Sequence, residues 1–293
     1  MGRVVKALDS KRRRGHWGLL LAFGLAAGLA QSTAAGPPTY AWLPQPDPTQ
    51  SLASRIAPPA GYERDVLSPG GFGDWLRHLP LKPGRPPVRL HNGRLKPNQE
   101  AHAAVIDIDV GGGDLQQCAD AVIRLRAEYL WSVRDFAAIR FRFTSGDPAE
   151  YLKWREGHRP VVSGTRVRWT RPEAPDASYA GFRRYLTSVF TYAGSLSLSR
   201  ELVPVPDPRD PRVGDVFIQG GSPGHAVLVV DEAADHASGR RVFLLAQSYM
   251  PAQDVQVLRN PRSAALSPWF VVDFGETLET PEWTFRATDL RRF

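Results

Sequence analysis

The stretch Ala226-Val227-Leu228-Val229-Val230 decides the fold of this chain. It is continuously apolar, which is typical of a strand buried on both faces of a sheet. A second apolar run, residues 242–246, follows after a short polar segment, and a third, residues 215–219, precedes it. We expect 226–230 and 242–246 to pair as an antiparallel hairpin. Residues 255–258 and 269–274 are weaker strand candidates.

Helical patterns come earlier in the chain. Residues 104–110 alternate like a strand and end at three glycines, after which Asp114 is a suitable N-cap, with Gln117 in the capping-box position, for a helix to about Trp131. A strand over 138–143 and a second helix over 178–193 follow. Helices that precede a run of neighbouring strands predict an α+β domain with a mainly antiparallel sheet.

Cys118, the only cysteine, lies in the first turn of the predicted helix. A helix N-terminus favours the thiolate, which is the reactive form of cysteine. An exported protein with one unpaired thiol either buries it or uses it. Cys118 also falls on the apolar stripe of its helix, so a small core residue is the alternative interpretation.

His225 and Gln247 are the other candidate site residues. A loop of small residues, 220–224, delivers His225 to the start of the apolar strand, and Gln247 follows the next strand. In a hairpin these two ends are neighbours, so the Gln247 carbonyl could accept the ring proton of His225 and leave the other ring nitrogen for a thiol. Two alternatives remain open: His225 caps a loop carbonyl, or Ser248 takes the place of Gln247.

The first 35 residues fit a secretory signal, with a cationic start, an apolar run over 19–29 and small residues before a cleavage site. The run is shorter than the roughly 20 residues of a membrane-spanning helix, although an uncleaved anchor is the alternative. We expect no stable membrane span after cleavage. Residues 36–61 are rich in proline and polar residues and predict an extended linker, which leaves one domain over 62–293.

The basic charge does not indicate a nucleic-acid partner. The formal net charge is +7, but six cations and one anion lie within residues 1–35, so the rest of the chain carries only +2. A mature protein near neutrality gives no electrostatic reason to bind nucleic acid.

A thiol at a helix start, a histidine at a strand start and a polar residue at the next strand's end resemble the papain-like cysteine hydrolases, especially their NlpC and CHAP-type members. Three segments carry the resemblance: 114–129 as the nucleophile helix, 214–218 as a Gly-Asp strand and 224–230 as a Gly-His strand. It implies a papain-like α+β fold, with the nucleophile helix packed on the sheet and a long insertion over 144–213.

Most of 62–293 also resembles an uncharacterised family of bacterial exported proteins, known only as a domain of unknown function. The runs 114–120, 221–226 and 246–253 carry this second resemblance. It implies no activity.

Two further patterns have alternative interpretations. Asp107 and Asp109 alternate with apolar residues and could bind a cation with His102 or His225, but their spacing matches no established metal motif. Five tryptophans could line a glycan groove, although core packing is the usual role of such residues: Trp131, Trp154, Trp169, Trp269 and Trp283.

Together the predicted signal and the resemblance to papain-like hydrolases imply a periplasmic or extracellular cysteine hydrolase, an amidase or peptidase, that acts on a peptide or amide of the cell envelope such as peptidoglycan peptide. Cys118 would be the nucleophile, His225 the general base and acid, and Gln247 the residue that orients His225. No metal or other cofactor is expected. The rival hypothesis is a non-catalytic envelope protein that keeps this fold as a binding scaffold.

Overall fold

A large antiparallel sheet is the centre of the protein, in a computed structural model that describes residues 36–293. The predicted signal sequence, residues 1–35, lies outside the described residues. The helices are α1 (Leu52–Arg55), α2 (Phe72–Arg77), α3 (Cys118–Ser132), α4 (Tyr151–Arg155), α5 (Tyr179–Tyr192) and α6 (Ser195–Glu201). Among the described residues no helix is both long and apolar enough to cross a bilayer.

Fifteen strands are defined within residues 36–293. They are β1 (Glu63–Arg64), β2 (His102–Val105), β3 (Arg140–Arg142), β4 (Pro148–Glu150), β5 (Arg159–Ser163), β6 (Arg166–Thr170), β7 (Val203–Pro204), β8 (Val216–Gln219), β9 (His225–Asp235), β10 (Arg240–Gln247), β11 (Gln256–Leu258), β12 (Phe270–Val271), β13 (Thr277–Glu279), β14 (Thr284–Arg286) and β15 (Leu290–Arg292). The main sheet has the order β2-β11-β10-β9-β8-β15-β7, with β1 on β9 and β12 on β10. The architecture is therefore mixed α+β with few helices, as the order of the patterns predicts.

The hairpin of β9 and β10 forms the middle of this sheet, and its pairing includes Leu228 opposite Ala246. Both faces are covered. Alternate residues such as Leu228 belong to the core cluster that includes α3, whereas Val227 and Val229 pack in a second cluster with Phe217 on the opposite face. This two-sided burial accounts for the continuously apolar sequence of the strand.

Helix α3 begins later than the capping pattern predicts. Gln117, not Asp114, is the N-cap, and the Gln117 amide donates to Asp120 Oδ2 over 3.1 Å. Asp114 Oδ1 instead accepts from the Ala252 amide over 2.6 Å. The carboxylate that could cap the helix therefore ties the segment after β10 to the start of α3, and Cys118 becomes the first helical residue.

Residues 36–61 pack on the domain instead of forming an extended linker. Tyr40 is buried and its hydroxyl donates to the Trp75 carbonyl over 2.9 Å. Leu52 is fully buried, and its amide donates to the Leu79 carbonyl over 2.8 Å. Large apolar side chains spaced along a proline-rich segment anchor it, and its only α-helix is the single turn of α1, so the folded domain begins before residue 62.

The 144–213 segment contains its own elements. The β5–β6 hairpin forms a separate two-stranded sheet. Helix α5 agrees with the predicted helix over 178–193, and the Ser178 hydroxyl accepts from the Gly181 amide over 3.0 Å as its N-cap. Its buried face, which includes Phe182 and Leu186, joins the core cluster that contains α3.

We predict that Leu228→Ala lowers the free energy of unfolding by about 2–5 kcal/mol, because it leaves a cavity between the central hairpin and α3. Leu152→Ala is the matched control: Leu152 is 42% exposed, and its truncation should change stability by no more than about 0.5 kcal/mol. Denaturant unfolding of both variants measures the difference. Equal losses would mean that the hairpin is not the centre of the core.

Candidate active site

The three predicted site residues lie at the ends of secondary-structure elements. Cys118 is the first residue of α3, His225 the first of β9 and Gln247 the last of β10. The β9–β10 pairing ends at Leu228 and Ala246, three residues after His225 and one residue before Gln247. His225 Nε2 and Gln247 Oε1 lie 2.7 Å apart, a hydrogen bond buried from solvent.

A hydrogen-bonded network of side chains, the polar chain, links Gln247 to Glu282 and Lys96. It determines which way the Gln247 amide faces. Gln247 Nε2 donates to Glu282 Oε2 over 2.8 Å, and Lys96 Nζ donates to the same oxygen over 2.5 Å. A carboxylate only accepts hydrogen bonds, so the amide must present its nitrogen to Glu282 and its oxygen to His225. His225 Nε2 is then the donor, and in the neutral ring Nδ1 carries no proton.

The imidazole of His225 lies among aromatic rings. Its centroid is 4.8 Å from that of Tyr249 and 5.4 Å from that of Trp283, and the residue is 1% exposed. Burial lowers the pKa of His225 to about 4, against the opposing effect of the Gln247 hydrogen bond, and the Lys96 charge lowers it further. The ring is therefore neutral at pH 7.

Cys118 is 5% exposed and lines a cleft with a volume of about 510 Å³. Burial raises the pKa of its thiol to about 11, although the backbone amides of Ala226 and Ala119 act in the opposite direction. The sequence predicts a lowered value from the helix N-terminus; desolvation outweighs this effect, so the thiol is protonated at pH 7.

Cys118 lines the same cleft as Gly224, the residue that precedes His225. His225 and Gln247 are thus brought into direct contact, and Cys118 lies next to the same strand start. Within residues 36–293 no hydrogen bond joins the sulfur to the imidazole. Nδ1 is the ring nitrogen that the bond to Gln247 leaves for the thiol.

The cleft lies between the start of α3 and the 144–213 segment. One side is the loop 221–224 before His225, and the other includes Phe190, residues 193–196 and Thr144. Gly224 packs so tightly against Ser195 that a Cβ atom at position 224 would overlap the Ser195 hydroxyl. The segment expected as an insertion therefore supplies one wall of the site.

Sequence reasoning missed three side chains near this site: Lys96, Glu282 and Asp120. Lys96 and Glu282 lie 186 positions apart in irregular segments, and no local pattern marks them. Asp120 is 5% exposed, and burial raises its pKa to about 8. The one sequence signal for Asp120 is its position two residues after the cysteine, on a helix that is predicted to pack against the sheet.

The structure distinguishes the remaining alternatives. The Ser248 hydroxyl lies 3.0 Å from the Gln116 carbonyl oxygen, whereas Gln247 contacts the histidine. Asp109 forms ion pairs with Arg124 at 3.1 Å and Arg183 at 2.7 Å. Within residues 36–293 no group of three or more potential ligands is arranged to hold a metal ion.

The comparisons with known proteins give one match. Residues 52–292 match a family described as "Domain of unknown function (4846)". No curated protein and no solved structure matches the chain.

We predict that His225 makes the protein sensitive to acid. The unfolded-state ring binds a proton near pH 6.5 and the folded-state ring near pH 4, so the unfolded state gains more protons as the pH falls through this window. Between these pH values the wild type should lose about 3 kcal/mol more unfolding free energy than His225→Gln. His236→Gln, at an exposed histidine, is the control and should follow the wild type. If the unfolding free energies of wild type and His225→Gln fall in parallel as the pH is lowered, the His225 ring is not buried in its neutral form.

We also predict that the polar chain fixes the tautomer of His225. In the wild type, ¹⁵N NMR should show a protonated Nε2 and an unprotonated Nδ1. In the double variant Lys96→Met/Glu282→Leu the Gln247 amide can turn over, because its nitrogen has lost the acceptor, and both tautomers should appear. The ¹⁵N signals of His225 are identified as those that are missing from the spectrum of the His225→Gln variant.

The matched control is Arg259→Met/Glu100→Leu, which removes an exposed ion pair of 2.9 Å. It should leave the His225 signals unchanged. One unchanged tautomer in the Lys96/Glu282 double variant would show that the chain behind Gln247 does not orient it.

Proposed function

We propose that this chain, which belongs to this family of unknown function, is an exported papain-like cysteine hydrolase, an amidase or peptidase of the cell envelope. Family membership itself brings no activity. The proposal rests on the side chains at the end of the central hairpin and on the order in which their elements occur along the chain.

The observation that carries the proposal is the 2.7 Å bond from His225 to Gln247. With Nε2 committed to this bond, Nδ1 is a free base at neutral pH. In the proposed reaction Nδ1 takes the thiol proton as Cys118 Sγ bonds to the substrate carbonyl carbon. The ring then gives the proton to the leaving amine as the C–N bond breaks, and a water molecule hydrolyses the thioester by the same route.

The oxyanion needs hydrogen-bond donors near the sulfur. The side-chain amides of Gln116 and Gln117 already donate, to the Asp109 carbonyl and to Asp114 respectively. The backbone amide of Cys118, at the first position of α3, is the donor that we assign to the oxyanion, together with the positive end of the helix.

The papain-like assignment of the fold is part of the proposal. It is supported by the chain order: a helix that begins with the cysteine, then β8, then a strand that begins with the histidine, all in one domain with an antiparallel sheet. Peptidoglycan peptide is the proposed substrate, from the predicted export of the chain and from fold analogy.

A binding scaffold without catalysis is the second candidate. The specific observation in its favour is the low exposure of Cys118, 5%, with a thiol pKa of about 11. Such a thiol is inert unless a base removes its proton during the reaction.

We predict that the purified full-length chain hydrolyses peptidoglycan-derived peptides and that Cys118→Ser abolishes the activity. Activity should rise as the pH increases through about 4, where His225 loses its proton, and should persist through neutral pH because the thiol keeps its proton until about 11. Gln247→Ala should reduce kcat by about 10²-fold, since the ring loses its orientation.

Ser132→Ala is the matched control. It is also a one-atom change on α3, but Ser132 is the last residue of the helix, at the opposite end from Cys118. It should retain wild-type activity. If no peptide or amide is cleaved, and Cys118 is alkylated only in denaturant, the scaffold is the correct function.

A further inference from the structure

The cleft beside Cys118 is lined by acidic side chains and, within residues 36–293, by no basic ones. The carboxyl side chains among its described lining residues are Asp114 and Asp120, and no lysine or arginine of the described chain lines it. The whole chain carries 37 lysines and arginines against 30 aspartates and glutamates. A concave surface with carboxylates and no cations attracts positively charged groups.

The two carboxylates differ in their partners. Asp114 is held by the Ala252 amide and by Gln117 Nε2, at 2.6 and 3.0 Å. Asp120 Oδ2 accepts from the Gln117 amide, but Oδ1 is buried and has no hydrogen-bond partner among residues 36–293. A buried polar atom without a partner costs free energy, and native structures contain few of them.

The position of Asp120 relates it to the candidate nucleophile. It lies two residues after Cys118 on α3, and both residues line the same cleft. A ligand group that contacts Asp120 would therefore occupy the cleft that Cys118 also lines. A cationic donor satisfies Oδ1 and compensates its charge, whereas a neutral donor satisfies only the hydrogen bond.

We propose that Asp120 and the surrounding cleft bind an ammonium or guanidinium group of the substrate, so that the hydrolysed amide is adjacent to a cationic group. The substrate class rests on the proposed function; the cation site itself does not require catalysis. Asp120 is a specificity-determining residue in this arrangement, because it contacts the substrate away from the reacting carbonyl.

The test compares two methanethiosulfonate reagents that label Cys118, one carrying a trimethylammonium-ethyl group and one a sulfonatoethyl group. Both react with the same thiolate, so the ratio of their rates does not depend on how much thiol is ionised. The full-length chain is labelled at pH 9, above the Asp120 pKa of about 8. The same ratio for 2-mercaptoethanol gives the intrinsic preference of the reagents.

The ratio of the labelling rate of the cationic reagent to that of the anionic reagent should be about tenfold higher for Cys118 than for 2-mercaptoethanol. Asp120→Asn keeps the size of the side chain and an oxygen for the Gln117 amide, and it should reduce the preference to the part that Asp114 contributes. Asp273→Asn removes the same charge at an exposed position outside the cleft and should leave the preference intact.

A wild-type ratio equal to that of 2-mercaptoethanol would overturn the cation site, and so would an undiminished preference in Asp120→Asn. The wild-type ratio decides the matter even if that variant does not fold. Failure of the proposed function is distinguishable: a chain that shows the preference but cleaves no amide keeps the cation site and loses the enzyme.

Discussion

The antiparallel register of β9 and β10 is the constraint on which the rest of the site depends. Leu228 opposite Ala246 fixes where the two strands end relative to each other, and therefore brings His225 to Gln247. Strand side chains alternate between faces, so a slip of one residue would separate the imidazole from the amide. The apolar core that sets the register thus also sets the polar contact.

Burial has two consequences in this protein. It stabilises the sheet between two apolar clusters, and it moves the pKa values of Cys118 and His225 to about 11 and about 4. The resting groups are a neutral thiol and a neutral imidazole, not a preformed ion pair. In the proposed reaction the reactive thiolate would form only when the sulfur attacks, which would protect the single cysteine from oxidation.

The parts of the structure that could be predicted from the sequence depend on local periodicity. The central hairpin, α5 and the contact between His225 and Gln247 follow from apolar runs and from the geometry of a hairpin. The packing of 36–61 could not be predicted, since isolated side chains such as Tyr40 anchor it without a periodic pattern. Lys96 and Glu282 meet through tertiary structure alone, and their charges resemble those of any solvated loop.

The two sides of the cleft are in close contact at Gly224. The backbone before His225 lies directly against Ser195, the first residue of α6, so neither side can shift far without displacing the other. Pressure from a bound molecule on the α6 wall would be transmitted mechanically to the strand that begins with the imidazole. Occupancy of the cleft and the alignment of the base would then be coupled through the contacts between α6 and the loop before His225.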